Sequence, residues 1–568
     1  METTGPVSTS AAPSRSRARE VWAGDGHDLE ARPERSQRAD PPAPDLRLGL
    51  EVAPSGLEAG LSRRQTRVLL AAVLVVATCG ILYELIVGTL SSYLLGNSAL
   101  HFSLTIGGFM TAMGLGSWLS RFITRDALAW FVAVELAVGA VGGLSAAVLY
   151  AAFTYTPVYH VAMGAVVLTI GVLIGLEIPL VTRLLGGPGR VTASSVKDTV
   201  ANVLAVDYLG ALVASIAFPF LLLPVLGVVR TAFVTGFVNL AVVVLCLRAF
   251  RRRLGRARWP LTLATALVAV PLVAGTVGAD RLADVFETKL YRDPVVYTEQ
   301  STYQRIVLTA RGGDLRMFLD GGLQFSTSDE HRYHEALVHP AMALAARRER
   351  VLILGGGDGM AAREVLEWPD VQAVTLVDLD PAVTRLSRTH AAIRAANGGA
   401  LEDARLEVVN DDAGAFLAET TERFDVVISD LPDPNHESLA KLYSRPFYAL
   451  VRDRLNVGGT VAVQATSPTF AREAFWSIVA TAEAAGLHPE PYHLYVPSFG
   501  DWGFFVGSTH AVRPERYDPS VNLEVVDPAT FQAARHFDAD VDRVEVEVST
   551  LDDPVVLRYY EKGWAQWQ

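Results

Sequence analysis

The chain predicts two folds in series: a multi-pass α-helical membrane domain, then an α/β doubly wound domain introduced by a small β-hairpin region. Three observations predict this. Between Arg67 and Ala279, apolar stretches of membrane-spanning length follow one another across short loops. Val351–Gly359 reads VLILGGGDG, an apolar run ending in glycines, as a buried parallel strand does where it turns into a helix. Beyond it, short apolar strands alternate with amphipathic stretches.

These observations divide the chain into residues 1–60, 61–280, 281–345 and 346–568. Residues 1–60 are rich in Ala, Pro, Ser, Arg and Asp without apolar periodicity, and are expected to form a disordered tail. They lack the apolar core and cleavage site of a removable signal peptide. Residues 281–568 carry a net charge of −17 and residues 1–280 carry +5, together the overall −12. An acidic half is a poor nucleic-acid binder and a good host for cations. Cys79 and Cys246, the two cysteines, sit inside apolar runs, which excludes a disulfide framework or a thiolate metal site.

Seven spans are expected, near 68–90, 102–120, 128–152, 161–185, 201–226, 230–249 and 260–279. Their helices show no polar face, which disfavours a soluble bundle. Arg63, Arg64 and Arg67 precede the first span, Arg121 and Arg125 follow the second, Arg183, Arg190 and Lys197 the fourth, and Arg251, Arg252 and Arg253 the sixth. By the positive-inside rule the amino terminus is cytoplasmic. Seven full crossings would then export residues 281–568. The seventh segment contains Pro260 and Pro271, and a segment that stops short would return the domain to the cytoplasm, which is the expected location of the catalytic half of a cell-membrane protein. Glu84, Glu177 and Asp207 lie within spans, where an acid serves a cation site or an interhelical hydrogen bond.

Past Pro294 the pattern becomes short alternating strands, Arg305–Ala310 and Leu315–Leu319, the latter closed as a hairpin by Asp320-Gly321-Gly322. Strands are then expected at 351–354, 374–377, 406–409, 426–428 and 460–464, with helices over 381–396 and 472–485. Each strand end carries an acid: Asp358 after the first, Asp378 and Asp380 after the second, Asp411 and Asp412 after the third, Asp430 and Asp433 after the fourth. One such acid is commonly a helix cap, and Asp380 or Asp411 can be no more than that. Four successive acidic ends point to a functional cluster at the carboxyl edge of the sheet. Asp378 suits a ribose, and Asp358 inside the glycine turn would repel a pyrophosphate, so the ligand is cationic there.

The residues resemble the polyamine aminopropyltransferases, the spermidine synthases, and the apolar front half resembles that of the membrane-attached bacterial members. The resemblance runs through Thr302-Tyr303-Gln304, Leu319–Gln324, Asp329-Glu330, Tyr333-His334-Glu335, Gly355–Gly359 with Arg363-Glu364, Asp378, Asp412-Ala413, Asp430–Pro434, Leu442-Tyr443, Pro497–Gly500 and Trp502-Gly503-Phe504. It implies a Rossmann-like, methyltransferase-type catalytic domain. It also implies roles: Gln304, Asp378, Asp412 and Ala413 hold the methylthioadenosine part of decarboxylated S-adenosylmethionine, with Gly355 and Gly357 in the turn beside it. His334 and Asp358 hold amine groups, Asp430 accepts the proton, Asp433 binds the acceptor amine, and Tyr303 and Tyr443 orient the nucleophile. Trp502 and Phe504 are read as core. One departure concerns the loop after Pro434, where Asn435-His436-Glu437 replaces the family's usual Gly-Pro, and this leaves the acceptor open.

A sulfonium is a good leaving group, so the transfer needs no metal, cofactor or covalent intermediate. It needs an unprotonated amine in line with the carbon beside sulfur, and a carboxylate to take its proton. The expected partners are that co-substrate, a diamine, membrane lipid and a second copy of the chain in a dimer or tetramer, with no nucleic acid. Putrescine is the expected acceptor, with cadaverine, agmatine and spermidine as alternatives. A methyltransferase using ordinary S-adenosylmethionine leaves Asp358, Asp430 and Asp433 unexplained, and a non-catalytic sensor or transporter leaves the base Asp430 unexplained.

Overall fold

The computed structural model describes residues 61–567 except 96–97, 157 and 187–192. The tail expected over 1–60, and Arg190 of the basic loops, lie outside the described residues.

The front half is a helical bundle: α1 (Arg63–Leu95), α2 (Ser98–Leu119), α3 (Ala127–Tyr155), α4 (Tyr159–Gly186), α5 (Ala193–Ala217), α6 (Leu223–Ala249), the short α7 (Arg251–Leu254) and α8 (Arg258–Leu290). Six runs among the described residues are long and apolar enough to cross a membrane, by length and composition. The fifth, Val200–Ala249, is 50 residues and doubles back. A Cβ on Gly210 of α5 would meet Leu74 O and Ala77 Cβ of α1, and Thr235 O of α6 lies 3.9 Å from Cys79 Sγ of the same helix. A straight helix would separate Gly210 and Thr235 by roughly 37 Å. Gly227, at φ 69°, makes the break between the two arms.

Helices α2 and α4 approach backbone to backbone. A Cβ on Gly116 would lie 2.0 Å from Val172 O, and one on Gly175 would lie 2.1 Å from Met113 O. Small residues at helix contacts are how apolar helices pack without a hydrophobic driving force between them. On the outside, Met110, Phe220, Leu263, Leu267 and Val277 are exposed, an apolar surface suited to lipid tails.

The seventh segment forms one unbroken helix. Helix α8 is continuous through Pro271 and packs along α6 and α3. Leu272 meets the Gly143 position of α3, and Lys289 lies over the Tyr155 ring at the end of α3. Pro260 falls in the first turn, where no backbone bond is lost, and Pro271 removes a single bond inside a packed helix. Gln65 Nε2 donates to Ala249 O, and Arg183 Nη1 to Ile123 O. The start of α1 therefore meets the end of α6, and the end of α4 meets the loop after α2. α8 also runs ten residues past the boundary expected at 280.

The second half begins with a four-stranded antiparallel sheet, β1 (Val295–Gln300), β2 (Arg305–Arg311), β3 (Asp314–Leu319) and β4 (Gly322–Ser326). The expected hairpin is present, with Asp320 at φ 47° and Gly321 at φ 84°, the two left-handed residues of a tight hairpin turn. There follow α9 (Glu330–Leu344), β5 (Arg350–Gly355), α10 (Met360–Leu366), β6 (Ala373–Val377), α11 (Pro381–Thr389), α12 (Ala391–Ala396), β7 (Leu406–Val409), α13 (Ala413–Glu419), β8 (Phe424–Asp430), α14 (Glu437–Ala440), α15 (Arg445–Arg454), β9 (Leu455–Gln464), α16 (Arg472–Ala484), β10 (His488–Val496), β11 (Gly500–Ser508), α17 (Pro528–Ala534) and α18 (Val555–Trp564). The helix expected over 381–396 is two, broken at His390, and Asn397 Nδ2 donates to Ser387 O at the break.

The seven-stranded sheet has the order β10-β11-β9-β8-β5-β6-β7, with β5 to β9 parallel and β10 and β11 antiparallel at one edge. From β5 the chain winds outward through β6 and β7, then returns to β8 on the other side. The crevice where winding reverses, between β5 and β8, is where ligands of such sheets bind. Gly355 and Asp430 are register partners at that crevice.

Candidate active site

Strand ends of both sheets and residues of helices from both halves meet over that crevice in a cavity of about 1810 Å³. Tyr303, Gln304, His334, Gly355, Gly357, Asp358, Asp378, Asp430 and Asp433 all line it. The glycines are there because nothing larger fits. Gly355 sits at φ 81° with its absent Cβ 2.0 Å from Asp430 O, and a Cβ on Gly357 would stand 2.5 Å from Asp378 Oδ2. Gly357 N instead donates to Asp378 Oδ2 at 3.0 Å, and Asp380 N donates to its Oδ1 at 2.9 Å.

The acids are strained electrostatically. Burial, with Asp358 nearby, pushes Asp430 up to about 6 against the opposing charge of His334 and a hydrogen bond from Tyr333. Burial likewise raises Asp433 to about 6, and Asp378 to about 6 despite its two backbone donors. Asp358 is raised by burial and held back by His334 and by Met360 N, which donates to Oδ1 at 2.8 Å. His334, 1% exposed, behaves in the opposite sense: burial would lower it, but Glu330 Oε2 at 2.8 Å and the two aspartates carry it to about 9. Against its burial, Glu330 is pulled down to about 2 by His334 and by the Arg363 clamp. The site thus sets an imidazole whose proton is favoured among carboxylates whose ionisation is opposed by burial.

Donor atoms of His334, Asp358 and Asp430 lie within 4.8 Å of one another, close enough for a metal ion. His334 Nδ1 is already engaged 2.8 Å from Glu330 Oε2, and the two carboxylates beside it are suited to an ammonium. A second group, His339, Glu364 and Glu367, is structural: Glu364 Oε2 is 2.8 Å from His339 Nε2, and Trp368 Nε1 donates to His339 Nδ1.

Three expected residues stand outside the cavity wall. Asp412 caps α13, accepting from Gly414 N and Ala415 N at 3.0 Å, and its other oxygen takes Lys441 Nζ at 2.7 Å. Ala413 is buried behind it. Tyr443 is buried in the core and donates to Pro432 O at 2.9 Å, which braces the loop carrying Asp433. Gln304 reaches the cavity rim and donates to Asp380 Oδ2, so Asp380 both caps α11 and anchors Gln304. Trp502, read as core, is mostly buried but lines the cavity, whereas Phe504 is core.

Other residues had no assigned role and are now seen to matter. Tyr333 Oη donates to Asp430 Oδ1. Gln464 Nε2 donates to Tyr443 Oη and Leu431 O. Tyr560 and Trp564 on α18 close the cavity from the carboxyl-terminal end. Tyr333 was detectable as the neighbour of His334. Nothing in the pattern of α18, far beyond the last strand, announces Tyr560.

The fold and site define a transferase of the doubly wound class. Residues 330–516 match the spermine/spermidine synthase domain. The chain is 44% identical over 531 residues to polyamine aminopropyltransferase 1 of Ralstonia nicotianae, covering 92% of this chain and 98% of that one. It is 40% identical over 497 residues to the polyamine aminopropyltransferase of Leptospira interrogans, covering 87% and 97%. The solved spermidine synthase of Thermotoga maritima superposes with a TM-score of 0.39 at 24% identity, over 43% of this chain and 84% of that one. The chain belongs to the polyamine aminopropyltransferases.

Proposed function

We propose that the chain transfers the aminopropyl group of decarboxylated S-adenosylmethionine to putrescine, giving spermidine and methylthioadenosine. The observation that carries this is one cavity lined by Asp358, Asp378, Asp430 and Asp433, with Asp358 and Asp430 within 4.8 Å of each other beside His334. Asp378 at the end of β6 binds the ribose hydroxyls, and Asp358 receives the aminopropyl ammonium. A substrate retaining its carboxylate would meet like charge at Asp358. Asp433, whose Oδ2 accepts from Thr466 Oγ1 at 3.0 Å, takes the distal ammonium of the diamine. The near amine attacks the carbon beside sulfur, its proton passes to Asp430, and the sulfonium leaves as the neutral thioether. A carboxyl near 6 is suited to exchanging that proton with water at neutral pH.

Putrescine rests on the room and charge around Asp433. The loop Asn435-His436-Glu437 lines the same cavity, so cadaverine, agmatine and spermidine are the competitors to offer. The test is product chromatography with decarboxylated S-adenosylmethionine and each amine. Methyl transfer from ordinary S-adenosylmethionine without propylamine transfer overturns the reading, and preference for spermidine moves it to spermine formation.

The proposed location is the cell membrane with the catalytic half in the cytoplasm, where the sulfonium is expected. With α8 passing fully, this puts the amino-terminal arginines on the far side, against the positive-inside rule. Lys289 and Arg292 beside the last helix favour it, because carboxyl-terminal charges can reverse a topology.

A further inference from the structure

The cavity holding Asp430 exceeds what its substrates need, and its far wall belongs to the bundle. Small-molecule sites measure about 300–1,000 Å³, against 1810 Å³ here. Beyond the hairpin tip at Asp320 to Gln324 the lining passes to Thr89 and Ser92 of α1, His101 of α2, Tyr150 of α3 and His160 of α4. His101 is 4% exposed, and its Nδ1 has no hydrogen-bond partner. The His160 ring lies 6.0 Å from it, centroid to centroid.

The two walls differ in chemistry. The catalytic wall carries Asp358, Asp378, Asp430 and Asp433. Among its described residues the bundle wall carries no carboxylate, and its permanent cation, Arg230, is itself engaged. What it offers is imidazole and hydroxyl groups. With Nε2 protonated, His101 Nδ1 presents a lone pair, and a buried polar atom of this kind is a place where a partner is missing.

We propose that the bundle wall is a vestibule for the acceptor amine, centred on His101 and His160, which accepts N–H hydrogen bonds from the amine before Asp433 takes it. This rests on the aminopropyl-transfer reading. Imidazole and hydroxyl acceptors hold an ammonium more weakly than the Asp433 carboxylate does, so the gradient runs toward the chemistry. It also gives the bundle a function in the reaction: the amine reaches the strand ends along the ends of α1 to α4.

The experiment uses the full chain in detergent or lipid vesicles, with steady-state kinetics varying putrescine and decarboxylated S-adenosylmethionine separately. His101→Ala and His160→Ala are expected to raise KM for putrescine about 10- to 100-fold each, the worth of one hydrogen bond to a charged group. KM for the sulfonium and kcat should stay within about twofold on the same reasoning, and His101→Gln should restore most of the loss. Unchanged putrescine KM in both variants, or a shift confined to the sulfonium or to kcat, overturns the vestibule while the wild type remains an active aminopropyltransferase. If His101→Ala fails to fold, His160→Ala and Thr89→Val give the same reading. A wild type without propylamine transfer overturns the parent reading, and the vestibule with it.

Discussion

Tyr333 Oη donates a 2.8 Å hydrogen bond to Asp430 Oδ1, joining the first turns of α9 to the end of β8 across the site. The bond leaves Asp430 Oδ2 facing the glycine turn, 3.1 Å from where a Cβ on Gly356 would stand. The base is thereby oriented by a group that cannot itself take a proton. Tyr333→Phe removes that bond and keeps the ring. Turnover should fall about 10- to 100-fold, the worth of a hydrogen bond to a charged group, with KM for the sulfonium unchanged.

Asp430→Asn keeps the shape and the Tyr333 contact but removes the proton acceptor. Turnover should fall about 10²- to 10⁴-fold, while methylthioadenosine binding, measured by calorimetry, survives. Unchanged turnover would mean that another group takes the proton.

The acids near 6 set an acidic limb in the rate profile. Asp430 must be ionised to accept a proton, and Asp433 to hold an ammonium, so kcat/KM should rise with pH through about 6 and level off above it. Asp433→Asn and Asp430→Asn should each alter that limb. A profile flat from pH 5 to 7 contradicts the assignment.

The same shift has a cost in stability with a definite sign. Asp433 has a folded pKa above its usual 3.8, so between about 4 and 6 the native state holds a proton that the unfolded chain has released. Its stabilising contribution is complete below that window and lost as pH rises through it. Asp433→Asn, uncharged throughout, should therefore melt higher than the parent at pH 7.5, with the advantage gone by pH 4. Thermal denaturation at the two pH values checks this, and a lower melting point at pH 7.5 refutes it.

Topology is tested by His510→Cys, exposed beyond β11, in a variant lacking Cys79 and Cys246. An impermeant thiol reagent should leave intact cells unlabelled and label the protein after lysis. Labelling of intact cells places the catalytic half outside, in agreement with the loop arginines.

Much of this architecture was legible along the chain because it depends on local pattern. Leu406–Val409 is a strand with the expected bounds, and the Asp320-Gly321 turn formed because its two left-handed residues suit few other structures. The acids at the ends of β5, β6 and β8 could be counted from strand ends alone. Glu135 was not singled out, although it lies within α3, 1% exposed, with Asn239 Nδ2 at 3.4 Å.

By itself the sequence determined which residues are apolar with which period, where glycine must stand, and that carboxylates crowd the strand ends, since these follow from spacing along one chain. Only the tertiary structure decided which carboxylates share a cavity. Asp412 was drawn into a cap and an ion pair with Lys441 29 positions away, while Tyr333 crossed to Asp430 97 positions away. It also carried α8 through Pro271, because helices on two sides held a segment that propensity alone would interrupt, and it brought His101 to the rim of the same cavity as Asp433. Contacts of that range are set by how packed elements exclude water and one another, which no window along the chain contains.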